Sequence, residues 1–133
     1  MIASLNELDS ITSMIKQKLP NGGVVLLKGN LASGKTTLVK KFVNFLGLSD
    51  NATSPTFLIQ NIYSDRVFHY DIYNEGVEKF IESGLLEELE KDGYHFIEWA
   101  DERLEEIVKG YGFKVLTIEI NPLSSDKREY IYA

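Results

Sequence analysis

The sequence predicts a three-layer α/β fold, with helices on both faces of a mixed, mostly parallel sheet. Three observations lead there. Strand-like apolar runs alternate with helix-like segments, the pattern of α/β proteins. The continuous apolar run Val24-Val25-Leu26-Leu27 leads directly into a glycine-bearing loop and a helical pattern. Such a run suits a central strand buried on both faces. Two β-rich stretches, Thr56–Tyr63 and Val67–Tyr73, are joined only by Ser64-Asp65-Arg66. That spacing predicts a hairpin, and with it some antiparallel pairing.

The elements follow in order. Ser4-Leu5-Asn6-Glu7 reads as a capping box, in which Ser and Glu side chains satisfy free amides at a helix start. Leu5, Leu8, Ile11, Ile15 and Leu19 then recur at helical spacing. Pro20 ends that helix, and Asn21-Gly22-Gly23 makes a turn. After the loop, Thr36–Leu46 is expected to be helical, with Leu38, Phe42, Phe45 and Leu46 on one side and Gly47 as the stop. Val77–Ile81 reads as a short helix ended near Gly84, and Leu85–Leu89 as a further helical turn. Tyr94–Ile97 reads as a buried strand, Asp101–Val108 as a helix ended by Gly110, and Phe113–Ile120 as a strand. Glu129–Tyr132 is expected to be a last edge strand. Residues 1–133 are expected to form one domain, a normal size for a single core.

Composition narrows the function. The absence of cysteine excludes disulfides and thiolate metal sites. A formal charge of −6 speaks against a domain that grips nucleic acid alone, so any RNA is expected to be held by a partner. Residues 1–19 carry polar residues throughout, unlike a secretory leader. No run approaches the ~20 apolar residues of a membrane span. A cytoplasmic location without membrane contact is expected.

The strongest motif is Gly29-Asn30-Leu31-Ala32-Ser33-Gly34-Lys35-Thr36, which matches the P-loop pattern of two glycines closing on Lys-Thr. Each part has a physical task. The glycines let the backbone curl so that its N–H groups face phosphate oxygens. The following helix adds the positive end of its dipole. Lys35 is expected to place a point charge at the β- and γ-phosphates, and the Thr36 hydroxyl to ligate Mg²⁺. The preceding apolar strand and the following helix are the context the motif requires, which makes the fold of P-loop NTPase type.

A hydrolase of this kind also needs a carboxylate at the carboxyl end of a buried strand. Glu98, after Tyr94-His95-Phe96-Ile97, and Asp71, ending His69-Tyr70-Asp71, both qualify. One can help hold Mg²⁺ while the other polarises water, and local sequence leaves the assignment open. Trp99, the one tryptophan, stands beside Glu98 and is a candidate to line the nucleotide cleft. Ser54-Pro55-Thr56-Phe57 reads locally as a turn and strand start, although a Thr there can sense a γ-phosphate. His69 and His95 read as structural, since neither has neighbours at metal-ligand spacing. Glu87-Glu88-Leu89-Glu90-Lys91-Asp92 reads as a solvated acidic face that could meet a basic partner.

Taken together, these residues resemble the TsaE (YjeE) family of bacterial ATPases of tRNA threonylcarbamoyladenosine biosynthesis. The resemblance rests on Gly34-Lys35-Thr36-Thr37, Ser54-Pro55-Thr56-Phe57, His69-Tyr70-Asp71-Ile72-Tyr73 and Ile97-Glu98-Trp99, in that order, with Arg128 a further match. It departs where Asn30, Ala32 and Ser33 replace the family's Asp, Gly and Ala, and where Asn74 replaces an Arg. The resemblance implies ATP and Mg²⁺ as ligands, bound through residues 29–37 with Trp99 alongside. It implies Thr36 and Glu98 at the metal, Lys35 and Asp71 acting with Glu98 in hydrolysis, and TsaB-like and TsaD-like partners. tRNA would be met only through that complex, which modifies adenosine 37.

Two other functions fit part of the pattern. A small P-loop kinase would normally carry a cluster of lid arginines; here Arg66, Arg103 and Arg128 are widely spread. A nucleotide-dependent binding switch with little turnover would use Thr56 and the hairpin. The Asn/Thr-Lys-x-Asp signature of GTPases is absent, which favours ATP over GTP.

Overall fold

The computed structural model describes residues 1–4, 7–29, 34–49, 60–72, 76–82, 84–124 and 126–133. The elements are β1 (Ile2–Ser4), α1 (Asp9–Lys18), β2 (Gly23–Lys28), α2 (Lys35–Phe45), β3 (Gln60–Tyr63) and β4 (Val67–Asp71). They continue with α3 (Gly76–Glu82), α4 (Leu85–Glu88), β5 (Tyr94–Glu98), α5 (Glu102–Gly110), β6 (Val115–Pro122) and β7 (Lys127–Tyr132). The strands form one sheet in the order β1-β7-β6-β2-β5-β4-β3. The central block β6-β2-β5-β4 is parallel. Antiparallel pairs flank it on both sides.

Alternation along the strands sorts the core into two halves. Val25 and Leu27 of β2 and Phe96 of β5 pack with α1 and α2, through Ile11, Ile15, Leu38 and Phe42. Val24 and Leu26 of β2 and Ile97 of β5 pack with α3 and α5, through Phe80, Leu104 and Val108. The expected three layers are therefore present, and β2 is buried along its apolar run. Its amino end is drawn against its neighbours at glycines. Gly22 has φ +101°, and a Cβ there would lie 2.3 Å from the Gly93 carbonyl oxygen. Gly93, at φ +130°, is pressed equally close to the Arg66 carbonyl. Only glycine accepts both the positive φ and the contact.

Several local readings shift. The Ser4 N–H does donate to the Glu7 carboxylate at 3.0 Å, as a capping box requires. Yet α1 begins only at Asp9, and Ser4 ends β1, paired with Lys127. Leu5, expected on the helical stripe, lies outside the described residues. β1 was not expected, and it covers β7, so β7 is not an edge. Phe45 was expected on the buried side of α2 but is 41% exposed. Val39 and Val43 complete that stripe with Leu38 and Phe42, at the i, i+1, i+4, i+5 spacing of a helical face. The β3–β4 turn is as tight as expected, with Ser64 and Asp65 both at positive φ, the backbone that suits a hairpin's right-handed twist.

Phe42 is the aromatic centre of the α2 side, with its ring 4.8 Å from that of Tyr94 and 5.3 Å from that of Phe96. Phe42→Ala is expected to destabilise the fold by about 3–5 kcal/mol. Urea denaturation at neutral pH would measure it, and a loss below about 1 kcal/mol would contradict this packing.

Candidate functional site

The site lies at the carboxyl ends of β2, β5 and β4. β2 delivers Gly29, at φ 148°, and Gly34 starts α2 from φ 101°. Both glycines thus hold backbone that other residues avoid, as the motif demands. Lys35 is the first residue of α2 and is only 3% exposed. Its Nζ donates to the Gly29 carbonyl at 2.6 Å and sits 3.6 Å from the centre of the Trp99 ring. Burial pulls the Lys35 ammonium below its ordinary pKa, against the opposing pull of Glu98 and Asp71.

β5 delivers Glu98, 4% exposed at its last position. The Thr36 hydroxyl donates to Glu98 Oε2 at 3.0 Å. His69 Nε2 is hydrogen-bonded to the same oxygen. Burial pushes the Glu98 carboxyl up, but His69, Thr36 and Lys35 together outweigh it and leave the group below its ordinary value. Asp71 ends β4 directly opposite Glu98 in the β4–β5 ladder, and it is exposed. Trp99 follows at φ +69°. A bulky residue in that region is a genuine outlier, and here it sets the indole against Lys35.

Lys35, Thr36, Asp71, Glu98, Trp99 and Gly29 are therefore gathered at one end of the sheet from three strands and a helix. Thr37 lies on an exposed part of the first turn of α2. Asn30, Leu31, Ala32, Ser33, the Ser54–Phe57 segment, Tyr73 and Asn74 lie outside the described residues. Arg128 stands on β7 opposite Pro122, the last residue of β6, at the same end of the sheet.

His69 reads as structural from the sequence, and the structure buries it and hydrogen-bonds it to Glu98, a partner that its local sequence does not name. The signal was available in part. Residues 69 and 71 alternate onto one face of a strand, so a carboxylate candidate at 71 brings 69 to the same face. His95 does behave structurally. Its Nε2 bonds the Lys91 carbonyl at 2.8 Å, Tyr70 Oη lies 2.8 Å from Nδ1, and its ring stacks on Phe68. Among the described residues, no group of three or more His, Cys, Asp and Glu could hold a metal ion, and no helix is long and apolar enough to cross a membrane.

The family described as "Threonylcarbamoyl adenosine biosynthesis protein TsaE" matches residues 2–130. The tRNA threonylcarbamoyladenosine biosynthesis protein TsaE of Treponema pallidum is 32% identical over 124 residues, which cover 91% of this chain and 89% of that protein. The protein of the same name from Bacillus subtilis is 36% identical over 102 residues, covering 68% of this chain and 64% of that one. The crystal structure of Bacillus subtilis YdiB shares the fold, with a TM-score of 0.60 at 24% identity, covering 99% of this chain and 83% of that one.

The Glu98 pocket makes a pH prediction. A carboxyl with a depressed folded pKa stabilises the fold above its ordinary value of 4.5, and that stabilisation is lost as pH falls through the folded value. At pH 7, Glu98→Gln is expected to cost roughly 1.5–3 kcal/mol, the worth of hydrogen bonds to a charged group. The difference from the wild type should shrink on acidification to about pH 3. Urea melts across that range measure it; a gap that widens in acid would contradict the assignment.

Proposed function

The chain belongs to the TsaE family, and on that premise we propose that it is a P-loop ATPase of tRNA threonylcarbamoyladenosine biosynthesis. It would be a cytoplasmic protein that hydrolyses ATP with Mg²⁺ to drive or reset a complex of TsaB-like and TsaD-like partners. tRNA would be met only through that complex. The observation that carries the ATPase reading is the bond between the Thr36 hydroxyl and Glu98, across 62 residues, beside a buried Lys35. This brings a P-loop threonine to a strand-end carboxylate, the pair that a nucleotide-bound Mg²⁺ requires.

The donor set fits that ion. Mg²⁺ takes oxygen ligands and is usually held by one or two carboxylates together with substrate phosphates. Thr36 and Glu98 would hold it, with Asp71 adjacent. When bound, the ion supplies positive charge against the charge that builds on the phosphates. Lys35 places a second positive charge there, and its burial strengthens that field by excluding water. Of Asp71 and Glu98, Asp71 is the better placed to reach a solvent water, because it is exposed while Glu98 is buried. Residues 29–37 would cradle the phosphates, with Trp99 alongside.

The arginines weigh against a lid-bearing kinase. Arg66 lies at the β3–β4 turn, and Arg103 of α5 is paired with Glu78 of α3.

The site is testable through its single tryptophan. Adding ATP and Mg²⁺ is expected to draw Lys35 from the indole and change Trp99 emission. Lys35→Ala should lose saturable ATP binding. Glu98→Ala should keep binding within several-fold but lose ~10²-fold or more in single-turnover hydrolysis, the usual weight of a lost electrostatic contact to the transition state. Normal turnover in Glu98→Ala removes it from the mechanism. A hydrolysis rate unaltered by TsaB-like and TsaD-like proteins from the same cell defeats partner coupling.

A further inference from the structure

The two histidines divide sharply in their surroundings. Both are buried. His95 is satisfied by a tyrosine and a backbone carbonyl, on the face of the sheet covered by α3 and α5. His69 points to the opposite face, diagonally across the ladder from Glu98, because its register partner is Phe96 and that of Asp71 is Glu98. Its Nε2 meets Glu98 Oε2, and the two side chains are each 5% exposed. Core packing alone would be better served there by an apolar residue, since a buried polar ring needs a partner.

Two donors converge on one oxygen. Thr36 reaches Glu98 Oε2 from α2 and His69 reaches it from β4. Bonds from two different elements fix the rotation of the carboxylate more firmly than either alone. They also fix the Thr36 hydroxyl, which spends its hydrogen on Oε2 and turns its lone pairs elsewhere. Both of these hydrogen bonds end on Oε2.

We propose that His69 is a positioning residue for hydrolysis, whose Nε2–H holds the Glu98 carboxylate and, through it, the Thr36 hydroxyl in the geometry that receives a nucleotide-bound divalent cation. The inference rests on the ATPase reading of this site. It makes His69 the outer support of a metal ligand, a role whose removal typically costs 10–100-fold in metal affinity or activity.

The test opposes shape to hydrogen bonding. His69→Phe keeps an aromatic ring and removes the donor; His69→Gln removes the ring and keeps a donor of similar reach. Positioning predicts that His69→Phe raises the Mg²⁺ concentration for half-maximal hydrolysis ~10-fold or more and lowers kcat, while metal-free ATP affinity stays within about 2-fold. His69→Gln should recover most of both losses. Mn²⁺ binding to the protein–ADP complex, followed by electron paramagnetic resonance, should weaken in His69→Phe and recover in His69→Gln, independently of turnover. A packing role predicts the reverse order, with the Phe variant sound and the Gln variant impaired, and that order overturns the proposal. So do two variants that both match the wild type. If His69→Phe does not fold, His69→Leu takes its place with the same expectations. If neither apolar variant folds while His69→Gln folds with wild-type Mn²⁺ affinity, the donor requirement stands; a folded His69→Gln that has lost Mn²⁺ binding overturns it. A wild type that hydrolyses no ATP overturns the ATPase reading and this inference with it. A hydrolysing wild type beside an unaffected Phe variant overturns the inference alone.

Discussion

A lysine residue buried to 3% exposure is the constraint around which this molecule is arranged. A charge out of water must be met by other polar groups, or it loses its proton. Lys35 is met by a carbonyl from the end of β2, by the face of an indole after β5, and by the field of two carboxylates. Those groups come from separate parts of the chain and are brought together only if β2, β5 and β4 are parallel neighbours in register. The same register aligns Leu27 with Glu98 and Asp71 with Glu98. Sheet order and site electrostatics are therefore one requirement, because a slip of one residue would turn Glu98 to the other face.

β4 carries this logic on both of its faces. His69 faces the site, while Phe68 and Tyr70 face the other core half. There Tyr70 Oη lies 2.8 Å from His95 Nδ1, His95 Nε2 lies 2.8 Å from the Lys91 carbonyl, and Gln60 donates to both Tyr70 and Glu88. The Lys91 carbonyl can only accept, so His95 carries its hydrogen on Nε2 and takes the Tyr70 hydrogen on Nδ1. Burial favours the neutral forms of both groups, raising the Tyr70 hydroxyl and lowering His95. A directional network on one face thus anchors the strand that presents His69 on the other. It is not fully satisfied: among the described residues, Gln60 Oε1 is buried without a hydrogen-bond partner.

What was legible in the sequence follows the range of the forces involved. The β2–loop–α2 unit was readable because its signals are local: an apolar run, two glycines at positive φ, and a helical stripe. Glu98 and Asp71 were readable as strand-end carboxylates, although only the ladder places them opposite each other. β1 was missed because a three-residue strand has almost no pattern of its own and exists by pairing with β7. Phe45 fits a helical stripe by hydrophobicity alone, but the face of α2 that packs is set by Val39 and Val43 beside Leu38 and Phe42. The partner of His69 was illegible for a deeper reason. It is 29 residues away on another strand, and no local window contains the β4–β5 register that joins them.

The position of the site then follows from the connections. After β2 the chain turns to the face of α2, and after β5 it turns to the opposite face, where α5 packs. β2 and β5 are neighbours, so the two departing segments diverge and open a crevice at their carboxyl ends, the switch point where open α/β sheets bind ligands. Lys35 and Glu98 stand on its two lips. Trp99 is the residue at which the chain leaves β5 for that opposite face, and its positive φ belongs to this departure. The backbone strain accepted there, of order 1–3 kcal/mol for such a residue, delivers the indole to the lysine across the crevice. The conformation that ends β5 and the contact that shields the buried charge are thus the same structural event.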